Sequence, residues 1–392
     1  KVLSLYENST IITKRKIDFS NLKKYVQDKY LKENLEIVHN NDKLIFSYKD
    51  KDECYKINTK IICEQNIRLN NECLVSNLKF FFYGIIIFYE SIKTKTNLLK
   101  FFNIILYSVL KNYSIFSSHK GEYLIQDRIY YTCPIKNFIF KRMGGKKTAC
   151  VQSHLSEGSI NLYNDIDIFF TFGEETNSIK FLKDMGSNII KTFAVGSLRT
   201  ESYLYKASEK YHIDDKIDIL IIGVNLYSWL YLNENTKKNY YEYYHYLKKI
   251  SEKYEKLKIC IKHHPNNKLD SFEKEIIEKS NITYIDKSIS SYRLLKNTKL
   301  FLSFSSSLIL ETCGAFGKSY FLDPNNNNNV FFEKNDHLNK IKIVGLSDLE
   351  KIIEDIFLKK NIHQYEKNHD DICLNSLNTS NLIKKGLTIT HI

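Results

Sequence analysis

At 392 residues and 46.3 kDa the chain has room for two domains of ordinary size, and with 43% hydrophobic and 14% aromatic residues it can bury packed cores. Disordered, collagen-like, disulfide-scaffold and coiled-coil classes are excluded on that composition. The net charge of +13 says little about partners, because 52 of the 58 basic residues are Lys, only six are Arg, and the whole composition is skewed toward Lys, Asn, Ile, Tyr and Phe.

Average usage would supply about 20 Pro and about 27 Gly in this length, whereas the chain holds 3 and 13, the skew of an AT-rich coding sequence. Lys on solvated faces therefore explains the charge, and no helix-turn-helix, zinc-finger spacing or RNP-type aromatic motif supports nucleic-acid binding. The eight cysteines form no CxxC pair and no Cys/His cluster at zinc spacing, so reduced thiols of a cytosolic protein are expected. No signal peptide opens the sequence, whose first residue is Lys, and truncation at the N-terminus is an expectation.

In chain order, residues 43–48 and 55–63 alternate as hairpin strands would, and are expected to belong to the first domain. Helices follow over 77–90 and 97–112. Their apolar runs are broken by Glu90, Lys93 and Lys95 and fall short of the roughly 18 residues a membrane span needs. Buried helices are expected there, with a membrane-facing surface as the alternative. Strands are predicted at 113–116, 122–125, 148–152, 166–172 and 189–195, with helices at 135–143 and 176–185. A linker is expected over 198–216, where apolar periodicity stops.

The second half is more regular. Five short β-branched runs (217–222, 257–262, 282–285, 299–304 and 319–322) alternate with helices over 235–254, 272–279, 290–296 and 306–316. Continuous apolar strands separated by helices predict a parallel sheet covered on both faces. Ligands of such sheets bind beyond the carboxyl ends of the strands. The Asn run at 325–329 reads as a loop.

Chemistry-bearing residues concentrate at that edge. Strand 257–262 leads into His263-His264-Pro265, where Pro265 holds His264 in extended backbone. Strand 299–304 runs into Ser305, Ser306 and Ser307 and a helix carrying Glu311. Hydroxyls and free N–H groups at a helix N-terminus form an anion site, and phosphate is its natural occupant. Glu311, one turn in, is placed to accept from ribose hydroxyls. Gly314 and Gly317 predict close helix-to-sheet packing and a helix stop.

The order of these motifs, strand-xHP, then strand-SxSSS with Glu, then GxxGK and a strand ending in Asp323-Pro324, resembles the nucleotide-binding half of GT-B glycosyltransferases of bacterial surface polysaccharide synthesis. It is similar to the HP and Ser-Ser motifs of sialyl-, polysialyl- and Kdo-transferases, and teichoic-acid glycerophosphotransferases have a related pattern. In the first half, residues 144–154 resemble the GxKTxxxQH stretch of such proteins, with Gln152-Ser153-His154 where those families more often have Gln-His-Gly. Phe172-Gly173-Glu174 and the later run 195–199 resemble their WG and VGSxR segments.

The resemblance implies an α/β protein of GT-B architecture: an acceptor-binding domain over 1–200, a nucleotide-sugar domain over 215–360, and a tail over 361–392 that packs back on the first domain. It implies that His264 meets the donor phosphate and assists its departure, that Ser305, Ser306 and Ser307 bind that phosphate and Glu311 the ribose, and that Gly223, Asn225, His263 and Pro265 line the donor site. Transfer in those families is metal-independent, so the resemblance implies that no metal and no cofactor is needed. Inverting transfer also needs a base from the first domain: Glu157 and Asp127 are the candidates, with Arg128, His154 and Arg199 as substrate contacts. The expected partners are a nucleotide-sugar donor, best a CMP-activated sialic-acid-like or Kdo sugar, and a glycan or lipid-linked glycan acceptor. Nucleic acid is not among them. CDP-glycerol or UDP-sugar use, or non-catalytic nucleotide-sugar binding, are the alternatives. The expected location is the cytoplasm, with peripheral association at the inner membrane.

Overall fold

A computed structural model of the chain describes residues 8–13, 35–40, 43–50, 53–63, 78–128, 132–152, 163–174, 177–204, 216–223, 234–263, 269, 271–286, 289–316, 318–326, 336–359 and 369–389. Three sheets organise them. Strands β1 (Asn8–Thr13), β2 (Leu35–Asn40), β3 (Lys43–Asp50) and β4 (Glu53–Cys63) form a mixed sheet in the order β1-β4-β3-β2. The predicted hairpin is present as β3 and β4, which pair antiparallel, but within this separate sheet.

Next come helices α1 (Leu78–Lys93) and α2 (Leu98–Ser118). The sequence suggests a strand at 113–116, yet these residues are the last turns of α2. Leu110, Ser114, Ile115 and Phe116 are buried in these turns, with Ile115 and Phe116 packed against Ile139 and Phe140 of α3 (Pro134–Arg142). A local apolar run does not distinguish a strand from a buried helical turn. The expectation of buried helices also fails: among the described side chains the final turns of α2 reach a core, while α1 from Phe82 on and the first half of α2 are exposed or half-buried.

The first α/β unit is a four-stranded parallel sheet in the order β5-β6-β7-β8, with β5 at Tyr123–Arg128, β6 at Lys147–Gln152, β7 at Asp165–Thr171 and β8 at Asn188–Ala194. Central β6 and β7 are buried almost throughout, whereas edge strand β8 alternates, as strand position in a covered sheet requires. Helix α4 (Asn177–Asp184) covers part of one face through Ile179 and Leu182. The expected linker instead begins with helix α5 (Leu198–Leu204).

The second unit is a six-stranded, all-parallel sheet: β9 (Ile217–Ile222), β10 (Ile259–Lys262), β11 (Ile282–Tyr284), β12 (Thr298–Ser303), β13 (Ser319–Leu322) and a short β14 (Lys342–Ile343) that sequence reading omits. Their spatial order, β11-β10-β9-β12-β13-β14, corresponds to 3-2-1-4-5-6 in chain order, the dinucleotide-fold arrangement. The chain reverses direction across the sheet between β9 and β12, and this is the switch point. Helices α6 (Glu234–Lys253), α7 (Ser271–Glu278), α8 (Ser291–Leu294), α9 (Leu308–Phe316) and α10 (Leu346–Ile353) complete the unit. In α6 the buried set Tyr240, Tyr243, Tyr244, Leu247 and Ile250 recurs every three or four residues and supplies most of that helix's contact with the core.

After the second unit the chain returns to the first. The Leu374 amide donates to the Phe172 carbonyl, and Ser376 Oγ accepts from the Ser197 amide. Helix α11 (Thr379–Thr388) then lays Ile383 and Leu387 on the first sheet, beside Ala149, Ile168, Phe170 and Val195. Two Rossmann-like α/β units joined by a crossing C-terminal segment therefore make up the body of the protein.

Candidate functional site

The switch point is built from the ends of β9 and β12. Ser303 Oγ donates to the Ile222 carbonyl at 2.6 Å and accepts from the Ser306 amide at 3.1 Å, so one hydroxyl clamps the two strands and bends the chain toward α9. Ser306 Oγ accepts from the Leu308 amide at 3.4 Å, and the Ser306 and Ser307 carbonyls accept the first helical N–H groups. Ser305, Ser306 and Ser307 are all half-buried at this edge. Of these three hydroxyls, that of Ser306 caps the helix, and all three residues lie at its N-terminus, the positive end of the helix dipole.

Gly223 closes the other side. A Cβ at this position would lie 2.7 Å from His263 Nδ1 and 2.9 Å from its Cα, so only glycine lets the ends of β9 and β10 approach this closely. His263 is 1% exposed, and its ring is stacked with Tyr284. Behind it, Tyr240 and Tyr244 donate to Glu273 Oε1 at 2.5 and 3.1 Å, and the Tyr244 oxygen lies 3.2 Å from His263 Nε2. Tyr244 thus links His263 Nε2 to the Glu273 carboxylate, and Nδ1 lies on the side of Gly223. Burial, with Lys262 adding to it, holds the His263 pKa down to about 4, so the ring is neutral at pH 7. Lys262 is buried as well and donates to the His263 carbonyl at 2.9 Å; desolvation lowers its pKa, against the opposing charge of Asp286.

The neutral state of His263 has a measurable consequence. A histidine whose folded pKa lies below its unfolded value of 6.5 contributes stability that is fully present above pH 6.5 and is lost as the pH falls through 4. The loss attributable to this one ring is about 3 kcal/mol. Urea denaturation of wild type and His263→Gln across that window should therefore show a steeper decline for wild type. Parallel declines would show that folding does not lower the His263 pKa.

A second cluster joins the two units. Glu311, on the first turn of α9 and 2% exposed, accepts from Ser197 Oγ, from Thr200 Oγ1 at 3.1 Å, and from Tyr292 OH at 2.9 and 3.1 Å. Burial raises its pKa against the pull of these donors and of Arg199. Arg199, exposed at the start of α5, hydrogen-bonds Tyr292 and lies in the field of Glu311. In this structure Oε2 of Glu311 accepts from the first unit's Ser197 and Thr200 across the seam, while Oε1 accepts from Tyr292 of its own unit. Gly314, one turn later, admits the backbone of the C-terminal return: a Cβ there would lie 2.5 Å from the Cys373 carbonyl oxygen. The close packing expected at Gly314 is thus made against that segment. Nearby, Asn239 donates to Asp323 and accepts from the Asn325 amide at 3.0 Å, which fixes the turn after β13.

The remaining sequence candidates divide by location. The backbones of Asp127 and Arg128 lie at the carboxyl end of β5, in register with Val151 and Gln152 of β6. Gln152 accepts from the Phe172 amide at 2.9 Å, so this residue of the first-half motif braces the strand ends. His264, Pro265, Asn225, His154, Glu157 and Gly317 lie outside the described residues. Sequence reading missed Ser303, Tyr244, Glu273, Tyr292 and Thr200. Ser303 was open to discovery as the first hydroxyl of the SxSSS run, whereas the others are recognisable only once distant segments meet.

No family model matches the chain, and no curated protein matches it. Among solved structures, it is similar to the S. aureus MnaA–UDP co-structure, with 14% identity and a TM-score of 0.46 over 72% of this chain and 79% of the other. A UDP-N-acetylglucosamine 2-epimerase is 9% identical, with a TM-score of 0.46 over 72% and 76% of the two chains. The UDP-GlcNAc 2-epimerase from Neisseria meningitidis bound to UDP-GlcNAc is 13% identical, with a TM-score of 0.48 over 72% and 80%. Likenesses this distant carry no information on the ligand or the reaction of this chain.

Proposed function

We propose that the protein is a nucleotide-sugar enzyme that holds the donor phosphate at the switch point of its second sheet. The observation that carries this reading is the clamp by Ser303 between β9 and β12, which leads into Ser305 and Ser307 at the N-terminus of α9. Hydroxyls and helix-end amides there stabilise negative charge without reorganising, and charge builds on the phosphate as a nucleotide leaves.

The reaction favoured is inverting, metal-independent transfer of a sugar to a glycan acceptor, with a CMP-activated acidic sugar as donor. His264 follows neutral His263 at the end of β10 and is the proposed proton donor to the leaving phosphate. The acceptor base comes from the first unit, with Glu157 and Asp127 as candidates and Arg128, His154 and Arg199 as contacts to acidic groups. Glu311 is proposed to hold the seam, since its oxygens are engaged by Ser197, Thr200 and Tyr292.

Thermal unfolding with CMP, CDP, UDP or GDP tests the reading. A nucleotide at about 100 times its Kd should add about 2.7 kcal/mol of stability. The double variant Ser305→Ala, Ser307→Ala should lose most of that gain while melting normally without ligand. Stabilisation by none of the four nucleotides would sink the proposal. Preference for UDP over CMP would move the donor class, and transfer abolished by a chelator would remove metal independence. With a donor in hand, His264→Ala should lower turnover by at least about 100-fold, the usual range for a general acid.

A further inference from the structure

Eleven of the eighteen exposed large apolar side chains among the described residues lie on the hairpin of α1 and α2, whereas the other seven are scattered. On α1, Ile85, Ile86 and Ile92 are 53%, 57% and 63% exposed; on α2, Phe101 and Ile104 are 61% and 60% exposed. At 100° per residue, the exposed apolar positions from Tyr83 to Ile92 cover about 220° of the α1 circumference. Gly84, Ile87 and Ser91 fall in the remaining arc; Gly84 meets Phe102 of α2, and Ser91 Oγ accepts from the Leu98 amide at 3.1 Å. The hairpin is thus closed on itself along one side and predominantly apolar on the rest, where Glu90, Lys93, Lys100 and Asn103 are the polar positions.

We infer that this hairpin docks on the surface of an anionic lipid bilayer. A partner helix, including one from a second copy, covers a stripe about 100° wide and would leave the remaining apolar arc in water. A lipid phase covers it all. Charge agrees with an anionic surface: residues 78–118 carry Lys79, Lys93, Lys95, Lys100 and Lys111 against the single acid Glu90. Lys93 ends α1 and Lys95 lies in the connecting turn, where long stems let ammonium groups reach headgroups while the neighbouring apolar rings stay below. The sixteen residues of α1 measure about 24 Å, short of the ~30 Å hydrocarbon thickness. No helix among the described residues is long and apolar enough to cross a membrane. The hairpin therefore lies in the interface. Anchoring occurs through α2, whose last turns are buried in the first unit.

Co-sedimentation of the full chain with vesicles tests this independently of nucleotide binding. The protein should pellet with phosphatidylcholine vesicles containing about a third phosphatidylglycerol, and bind at least about 10-fold more weakly to pure phosphatidylcholine or in high salt. The exposed pair Ile86→Ser, Phe88→Ser should lower vesicle binding at least 10-fold with an unchanged melting midpoint, and Lys93→Gln, Lys95→Gln, Lys100→Gln should remove the preference for anionic lipid. Wild type that stays in the supernatant, or variants that pellet like wild type, would overturn the inference. So would a dimer, detected by light scattering, that Ile86→Ser, Phe88→Ser dissociates in the absence of any vesicle binding.

Discussion

Removal of residues 369–392 is expected to unfold the first α/β unit. Its sheet depends on α11, where Ile383 and Leu387 are fully buried against Phe170 and Val195. Glu201 accepts from both the amide and the hydroxyl of Ser380, and Lys147 donates to the carbonyls of Leu387 and Ile389. Two buried aliphatic side chains contribute about 3–6 kcal/mol together, a large part of the 5–15 kcal/mol that keeps an ordinary domain folded. The single variants Ile383→Ala and Leu387→Ala should each cost about 2–5 kcal/mol in urea denaturation. Limited proteolysis of the truncated chain should then cut first within residues 123–194. Unchanged resistance there would mean that the first sheet holds its face without α11.

The second large effect is expected at Glu311. Glu311→Ala leaves three hydroxyls of Ser197, Thr200 and Tyr292 facing a buried gap, with Arg199 deprived of its countercharge. Breaking a buried charged cluster in this way costs about 3–5 kcal/mol. Glu311→Gln keeps one acceptor oxygen and should lose less. Equal losses in the two variants would show that the retained shape and single acceptor of Gln contribute nothing, and that only the full carboxylate holds the seam.

The same carboxyl also has a signature in pH. Burial raises its folded pKa above the unfolded value of 4.5, so its protonated form is favoured by folding. Its contribution to stability is greatest below 4.5 and is lost as the pH rises through the folded value. On acidification from neutral pH toward 4.5, wild type should therefore gain stability relative to Glu311→Gln. His263 opposes it over the lower part of the same range, and the two variants separate the effects.

The legible part of the fold was the part written in local pattern. The short, largely apolar runs at 217–222 and 319–322 fit strands covered on both faces, and their regular alternation with helices such as α6 favoured a parallel sheet. Residues 113–116 were misread because four apolar and small residues fit a strand as well as the last turn of a helix, and only the contact with Ile139 and Phe140 separates the two. The exposure of Ile85 and Ile86 was equally hidden, since an all-round apolar helix has the same sequence whether protein or another phase covers it.

At the candidate site the division is similar. Strand-then-serine and strand-then-His-Pro are local motifs, so the amino-acid order alone placed Gly223, His263 and residues 303–307 at a carboxyl edge. That β9 and β12 are neighbours across the switch point, that Tyr244 and Glu273 stand behind His263, and that Glu311 meets Ser197 from more than a hundred residues away were decided by tertiary structure. Hydrogen bonds are short-ranged and chain separation is no guide to them. A carboxylate on a first helical turn reads identically whether it faces a ligand or a neighbouring unit, and here packing brought the first unit's hydroxyls to it.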